Sequence, residues 1–194
     1  MPSRRMNLGP LTTRFAYPDR CTAPVIGCST CDLAWQAQTC GDNPANSQGV
    51  QDDPDCWPPR SKADMDGGYA LNGWGFYSPG LECPEGYEPA CSATGTATGD
   101  FNFQYSINDD ETAIGCCPTG YSCDQPGGPQ TCKTVASRGS MQAAMCDDGE
   151  TQLDWYTLPV TYTQTGSDSE QATLDYITIM APMFQLNRKA SDLA

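Results

Sequence analysis

The chain has no histidine, few basic residues and no long apolar run, and each deficit excludes a class of protein. Among its 194 residues, 10 Lys and Arg stand against 24 Asp and Glu, which gives a formal net charge of −14. Without histidine there is no Ser-His-Asp triad, no Cys-His nucleophile and no histidine metal site. The acidic balance repels nucleic acid and anionic lipid, so we expect neither as a partner. The longest mostly apolar stretch, residues 177–184, is far shorter than the roughly 20 residues of a membrane-spanning helix, so we expect no direct membrane insertion.

Cysteine is the residue type that the sequence has in excess. The twelve cysteines are Cys21, Cys28, Cys31, Cys40, Cys56, Cys83, Cys91, Cys116, Cys117, Cys123, Cys132 and Cys146. An even number in a chain with 19 Gly and 16 Pro predicts a disulfide framework, and therefore an oxidising extracellular compartment. The alternative is zinc or redox chemistry at the CxxC motif of residues 28–31. No second CxxC half follows it, so we predict no metal and no cofactor.

Local spacing suggests some of the disulfide partners. Turn-rich segments separate Cys123 from Cys132 and Cys83 from Cys91, so we expect each of these two pairs to meet. The adjacent cysteines 116–117 should bond to two different partners, because a vicinal disulfide strains the peptide link between its two residues.

Frequent turn residues and short β-type runs predict a small disulfide-rich fold that is mainly β, with long loops and one or two short helices. We expect an extended N-terminal arm over residues 1–20 and a disulfide-stabilised domain over residues 21–146. A Cys-free β-type segment over residues 147–194 should pack on that domain. A thin core of this kind needs its disulfides for stability.

Within this outline, the two expected helices are residues 31–38 and 140–145. The expected strands are residues 11–15, 74–77, 101–105, 113–114, 155–158 and 160–164, with a further strand pair or broken strand over 174–186. The two β-type runs of the C-terminal segment should form a hairpin.

Aromatic and acidic residues supply the candidate sites. Candidate glycan contacts are Trp57, Trp74, Phe76 and Tyr77, whose rings would stack on sugars; the alternative is that these rings form the core. The acidic residues Asp52, Asp53 and Asp55 and the run 109–111 are interpreted as solvated loop charges. Residues 64–67 have only the start of a calcium loop, since loop positions 5 and 12 are glycine. A glycosidase needs two carboxylates, but nothing in the sequence selects a pair, so no catalytic residue is assigned.

An ordered set of motifs carries a resemblance that runs along nearly the whole chain. The set is LGPLTTRF at 8–15, CSTC at 28–31, CWPP at 56–59, GWGFYSPG at 73–80, CPEGY at 83–87, ETAIGCCPTGYSC at 111–123, QTC at 130–132 and ITIMAPMFQL at 177–186. In these motifs the chain resembles a family of uncharacterised ascomycete (fungal) cysteine-rich ectodomains of extracellular or surface proteins. The resemblance implies a signal peptide before the domain and a stalk with a membrane anchor after it, both expected outside this chain.

Three hypotheses of function follow. The first is a secreted or surface-displayed, disulfide-stabilised interaction or structural domain of a fungal cell surface, with a cell-wall glycan or a surface protein as its partner. The second is a carbohydrate-binding module that uses exposed aromatic rings. The third is an Asp/Glu-dependent glycan hydrolase; we favour a function other than an enzyme, because so small a cysteine-rich chain has little room for a catalytic cleft.

Overall fold

The computed structural model describes residues 5–28, 30–41, 45–46, 49–61, 70–71, 73–95, 99–125, 129–147, 150–164 and 170–194. Within these ranges the chain forms fifteen β-strands and three short 3₁₀ helices, with no α-helix, so the prediction of a mainly-β fold is confirmed. The 3₁₀ helices span Asp19–Thr22, Pro54–Cys56 and Ala190–Leu193. No helix in the described ranges is long and apolar enough to cross a membrane.

The strands are defined as follows: β1 Val25–Ile26, β2 Leu33–Trp35, β3 Gln38–Cys40, β4 Val50–Asp52, β5 Phe76–Tyr77, β6 Tyr87–Thr94, β7 Glu111–Pro118, β8 Ser122–Asp124, β9 Thr131–Ala136, β10 Gly139–Asp147, β11 Glu150–Leu158, β12 Val160–Thr163, β13 Gln171–Leu174, β14 Ile177–Pro182 and β15 Phe184–Lys189. The larger sheet has the order β11-β10-β1-β2-β14-β9-β8 and the smaller sheet the order β5-β15-β7-β6. Two ribbons, β3-β4 and β12-β13, complete the fold.

Each face of the larger sheet is covered by one of the ribbons. On one face, Ile26, Ala143 and Tyr156 form a core with Val160 and Leu174 of the β12-β13 ribbon. On the opposite face, Val25, Trp35 and Ala144 pack against Val50 of β4 and against Leu71. The alternation of side chains along a strand explains this division, since successive residues point to opposite faces.

The smaller sheet packs on the N-terminal arm. Leu8 and Leu11 of the arm are buried in the same cluster as Phe184 and Leu186 of β15. The expected strand at residues 11–15 is wrong: only Leu11 makes an isolated bridge there, to Gly80. The arm crosses β5 closely at Gly75, where a Cβ atom would collide with the carbonyl oxygen of Met6.

Six disulfides use all twelve cysteines, and two of them join the two sheets. Cys91–Cys123 links β6 to β8, and Cys117–Cys132 links β7 to β9. The remaining four are Cys21–Cys56, Cys28–Cys31, Cys40–Cys146 and Cys83–Cys116. The disulfide framework predicted from cysteine content is therefore present, and no cysteine is free.

The predicted pairings have mixed outcomes. Residues 116 and 117 bond to different partners, as expected. The expected pairs Cys123–Cys132 and Cys83–Cys91 are wrong. Cys123 and Cys132 do lie opposite each other on β8 and β9, but each bonds to the smaller sheet instead of to its neighbour.

Both expected helices are strands. The region 31–38 contains β2, which lies between β1 and β14, and the region 140–145 lies within β10, between β1 and β11. Alanine, leucine and glutamine favour helix, but the preference is worth less than about 1 kcal/mol per residue, and pairing on both sides of a strand outweighs it. The disulfide Cys28–Cys31 also closes the turn before β2, and Cys31 is the residue at which the expected helix 31–38 would begin.

Other strand predictions are partly right. Residues 113–114, 155–158 and 160–163 lie in strands, as do residues 76–77. The expected C-terminal hairpin is wrong, because β12 pairs with β13, while β14 and β15 enter different sheets. Residues 101–105 are not an extended strand, since only residue 105 forms a bridge. Next to it, the backbone amide of Gln104 donates to Oε1 of Gln130 at 2.8 Å, and the backbone amide of Gln130 donates to Oε1 of Gln104 at 3.2 Å.

Candidate functional site

The four aromatic residues expected to contact glycans lie in or beside the core. Trp57, Phe76 and Tyr77 expose 4%, 1% and 0% of their surface, and Trp74 is half-buried. The Trp74 indole donates to Oδ2 of Asp52 at 2.8 Å, and the Tyr77 hydroxyl donates to the carbonyl oxygen of Pro58 at 2.9 Å. Burial leaves Trp57, Phe76 and Tyr77 no ring face open to a sugar, so these three are core residues.

The buried rings meet around Phe184. Its ring contacts Trp57 edge-on with centroids 4.9 Å apart, and contacts Tyr87 at the same centroid distance. The Tyr87 hydroxyl donates to the Tyr17 hydroxyl at 3.1 Å, and burial raises the pKa of both tyrosines well above their ordinary value. Neither hydroxyl is suited to act as a base near neutral pH, so this cluster is structural.

Asp52 was expected to be a solvated loop charge, and this prediction is wrong. Asp52 is only 1% exposed. Its carboxylate accepts hydrogen bonds from Gln38 Nε2 at 2.7 Å, from the Leu71 backbone amide at 2.9 Å and from Trp74 Nε1 at 2.8 Å. Of its neighbours, Asp55 is exposed as expected and Asp53 is half-buried, and both pair with Arg20. The Asp52 carboxylate thus holds the β3-β4 ribbon against the segment that enters β5.

Glu111 is the second buried carboxylate among residues expected to be solvated. The Arg5 guanidinium donates two hydrogen bonds to the Glu111 carboxylate, from Nη1 to Oε2 at 2.7 Å and from Nη2 to Oε1 at 3.0 Å. The Asn108 amide and Asn187 Nδ2 also donate to Oε2, at 3.1 and 3.2 Å. Burial raises the pKa of Glu111, but the hydrogen bonds and charge of Arg5, with the bonds from residues 108 and 187, outweigh it and hold the pKa below its usual range.

A chain of amides continues from Glu111 through the interior of the smaller sheet. Gln185 Nε2 donates to Oδ1 of Asn187 at 2.9 Å, and Gln130 Nε2 donates to Oε1 of Gln185 at 3.0 Å. The side chains of residues 185 and 187 are fully buried. Polar groups at such depth are stable only when they are hydrogen-bonded, so this chain of amides ties strands together and offers no open acid or base.

The CxxC motif forms a surface disulfide. Cys28 is exposed and Cys31 half-buried, and their bond closes the turn between β1 and β2. The described residues contain no group of three or more side chains that could hold a metal ion. The partial calcium loop at residues 64–67 lies outside the described ranges.

Two hollows open on the surface of the smaller sheet. A groove of about 530 Å³ runs beside the end of β6 and is lined by Asp100, Phe101 and Phe103. Phe103 is buried and Phe101 half-buried, so the groove has little open ring surface. A second hollow of about 320 Å³ includes Arg14 and Glu82, whose charged groups lie 3.8 Å apart.

The outer edge of the larger sheet carries a different kind of surface, which we call the β11 strip: Ser140, Gln142, Leu153, Trp155 and Thr157. Trp155 is 67% exposed and Leu153 57% exposed. The sequence predicted a strand here but not a surface site. The available signal was that both faces of β11 carry large apolar side chains, with Tyr156 and Leu158 buried on the other face.

Comparisons of the chain with protein-family models, with characterised proteins and with solved structures found no match.

Proposed function

We propose that this chain is a secreted or surface-displayed interaction domain of fungal origin, stabilised by disulfides and working outside the cell. The observation that carries the proposal is the use of all twelve cysteines in six disulfides, two of which join the sheets. Frameworks of this density persist in oxidising compartments and are reduced in the cytosol. The fungal origin rests on the ordered motifs of the sequence.

We further propose that the domain is not an enzyme. Among the described residues, the two buried carboxylates, Asp52 and Glu111, each accept at least three hydrogen bonds from neighbouring groups of the chain. A glycosidase needs two carboxyl groups that flank an open substrate site, one of them able to give up a proton. Saturated, enclosed carboxylates do not meet that requirement.

A second candidate function, glycan binding, is favoured by the exposure of Trp155. The aromatic residues proposed for this role from sequence are buried or half-buried, whereas the Trp155 indole is open to solvent beside polar side chains. Exposed aromatic rings beside polar groups suit ligands that have both apolar faces and hydroxyl groups.

The compartment is tested in the organism that encodes the chain. An antibody raised against the folded domain is used on fractionated cells, and thiols are blocked at lysis before the protein is denatured. We expect the protein in the medium or cell-wall fraction, with all cysteines oxidised. A cytosolic protein with free thiols would contradict the proposal.

A further inference from the structure

We propose that the β11 strip binds a neutral polysaccharide built of sugars with equatorial hydroxyl groups, with the Trp155 indole stacked on one sugar ring and the neighbouring polar side chains bonded to its hydroxyl groups. The inference rests on the extracellular function proposed above and assigns a ligand class and a site to it. It assigns glycan contact to an exposed aromatic residue, Trp155, in place of the buried or half-buried aromatic residues expected from sequence.

Strand register places the five residues of the strip on one face. Trp155 lies opposite Gln142, Thr157 opposite Ser140, and Leu153 opposite Ala144. Directly opposed residues of an antiparallel pair share a face, with Cβ atoms about 5 Å apart. The hydroxyls of Ser140 and Thr157 are 2.7 Å apart, which confirms that these two side chains meet. The strip is thus a short platform of two apolar residues bordered by an amide and two hydroxyls.

Nothing in the described structure buries this platform. The β3-β4 ribbon covers the same face of the sheet further in, where Val50 packs with Val25 and Ala144. Trp155, Leu153, Gln142, Ser140 and Thr157 are all exposed. Two large apolar side chains, Leu153 and Trp155, are therefore left exposed on one face of the strand pair, which is the kind of surface that a ligand covers.

The lack of charged side chains in the β11 strip and the net charge of the chain limit which class of ligand can bind there. The strip contains no charged side chain, although the chain as a whole carries a net charge of −14. Anionic ligands are repelled by that net charge, and a cationic ligand would find no carboxylate within the strip. A neutral ligand with hydroxyl groups fits the amide and the two hydroxyls that the strip presents.

The strand edge also argues against a second copy of this chain as the occupant. The backbone amide of Trp155 donates to Oδ1 of its own neighbour Asp154 at 2.7 Å. A strand from another copy would have to displace this carboxylate at the edge, and two copies of net charge −14 repel each other. Charged side chains at an edge strand are a known protection against strand addition. We therefore place the ligand on the exposed side-chain face of β11 and not along its backbone edge.

An exposed indole beside an amide and two hydroxyls suits sugars whose hydroxyl groups are equatorial. Such rings present flat C–H faces that pack on an indole, while their hydroxyls point outward to the amide of Gln142 and the hydroxyls of residues 140 and 157. β-Linked glucans and chitin share this chemistry, and axial hydroxyls in α-mannan interrupt it. The two β-linked polymers are separate arms of the test.

The test measures binding of laminarihexaose, chitohexaose and an α-linked mannohexaose by titration calorimetry and by tryptophan fluorescence. We expect one or both β-linked hexamers to bind the wild-type protein and the mannohexaose to bind at least tenfold more weakly. Trp155→Ala should weaken binding at least tenfold and abolish the fluorescence change, while Trp155→Phe should retain part of the affinity. Tyr176→Ala is the matched control, since Tyr176 is an aromatic residue 53% exposed outside the strip.

Each remaining outcome contradicts the proposal in a different way. Equal binding by Trp155→Ala with an unchanged circular dichroism spectrum would place the site elsewhere. No binding of either β-linked hexamer would overturn the glycan assignment. A wild-type dimer in light scattering that Trp155→Ala converts to a monomer would identify a second copy as the occupant. None of these results alters the fractionation experiment, so failure of the glycan site leaves the extracellular assignment standing.

Discussion

β7 and β11 are strands of similar length with opposite surroundings. β7 lies between β15 and β6, and six of its eight residues are buried. β11 is the outermost strand of the larger sheet, and of its side chains described, over 152–158, only those of Tyr156 and Leu158 are buried. β7 contributes two cysteines to disulfides, and β11 contributes none. We therefore expect stability to be concentrated where the sheets are joined, whereas the side chains of the outermost strand of the larger sheet are mostly exposed.

The largest expected difference between the two regions concerns aromatic residues. Phe184→Ala removes a fully buried ring that contacts Trp57 and Tyr87, and should lower the free energy of unfolding by about 3–5 kcal/mol. Trp155→Ala removes an exposed ring and should change it by less than about 0.5 kcal/mol. Urea unfolding followed by circular dichroism measures both, and equal losses would show that the contrast is wrong.

The second expected difference concerns disulfides. Replacing Cys117 and Cys132 together by alanine removes a buried link between the sheets that spans 15 residues, and should cost about 3 kcal/mol of stability. Replacing Cys28 and Cys31 is the matched control, because that exposed disulfide spans only 3 residues and constrains the unfolded chain less. Denaturant midpoints of the two double variants give the comparison. A control variant as unstable as the first would contradict it.

The third expected difference separates two neighbouring carboxylates. Glu111→Gln keeps the side-chain shape but removes the negative charge that pairs with Arg5. We expect it to lower the free energy of unfolding by about 2 kcal/mol. Asp110→Asn removes an exposed carboxylate paired with Lys189 at 2.8 Å, and we expect little or no change in stability. Thermal unfolding of both variants at pH 7 tests this, and a larger loss in Asp110→Asn would refute the structural role assigned to Glu111.

The smallest expected effect is a dependence on pH. Because the pKa of Glu111 is lower in the folded protein than its usual value, its contribution to stability is complete above about pH 4.3 and is lost as the pH falls through the folded pKa. The stability difference between wild type and Glu111→Gln should therefore shrink between pH 5 and pH 2. Unfolding curves over this range measure it, and a difference that grows on acidification would contradict the assignment.

Sequence reasoning predicted features that depend on composition and on immediate neighbours. It predicted the mainly-β fold, the disulfide framework and the outward bonding of residues 116–117. It failed where distant segments decide the outcome. Nothing near Glu111 distinguishes it from Asp109 and Asp110, because its partner Arg5 lies 106 positions away. The strands β2 and β10 likewise owe their conformation to neighbours on both sides in the sheet. Large apolar side chains on both faces of β11 were a local signal, but the exposure of Trp155 follows from the position of β11 at the outer edge of its sheet, which depends on distant strands.

The central claim is that two disulfides join the larger and smaller sheets, while β11 itself contributes no cysteine. Peptide mapping of the non-reduced protein, with free thiols blocked beforehand, tests it most directly. The structure predicts the linked peptides Cys91–Cys123 and Cys117–Cys132, four other disulfides and no blocked thiol. A Cys123–Cys132 peptide, or free thiols at these four positions, would contradict the account.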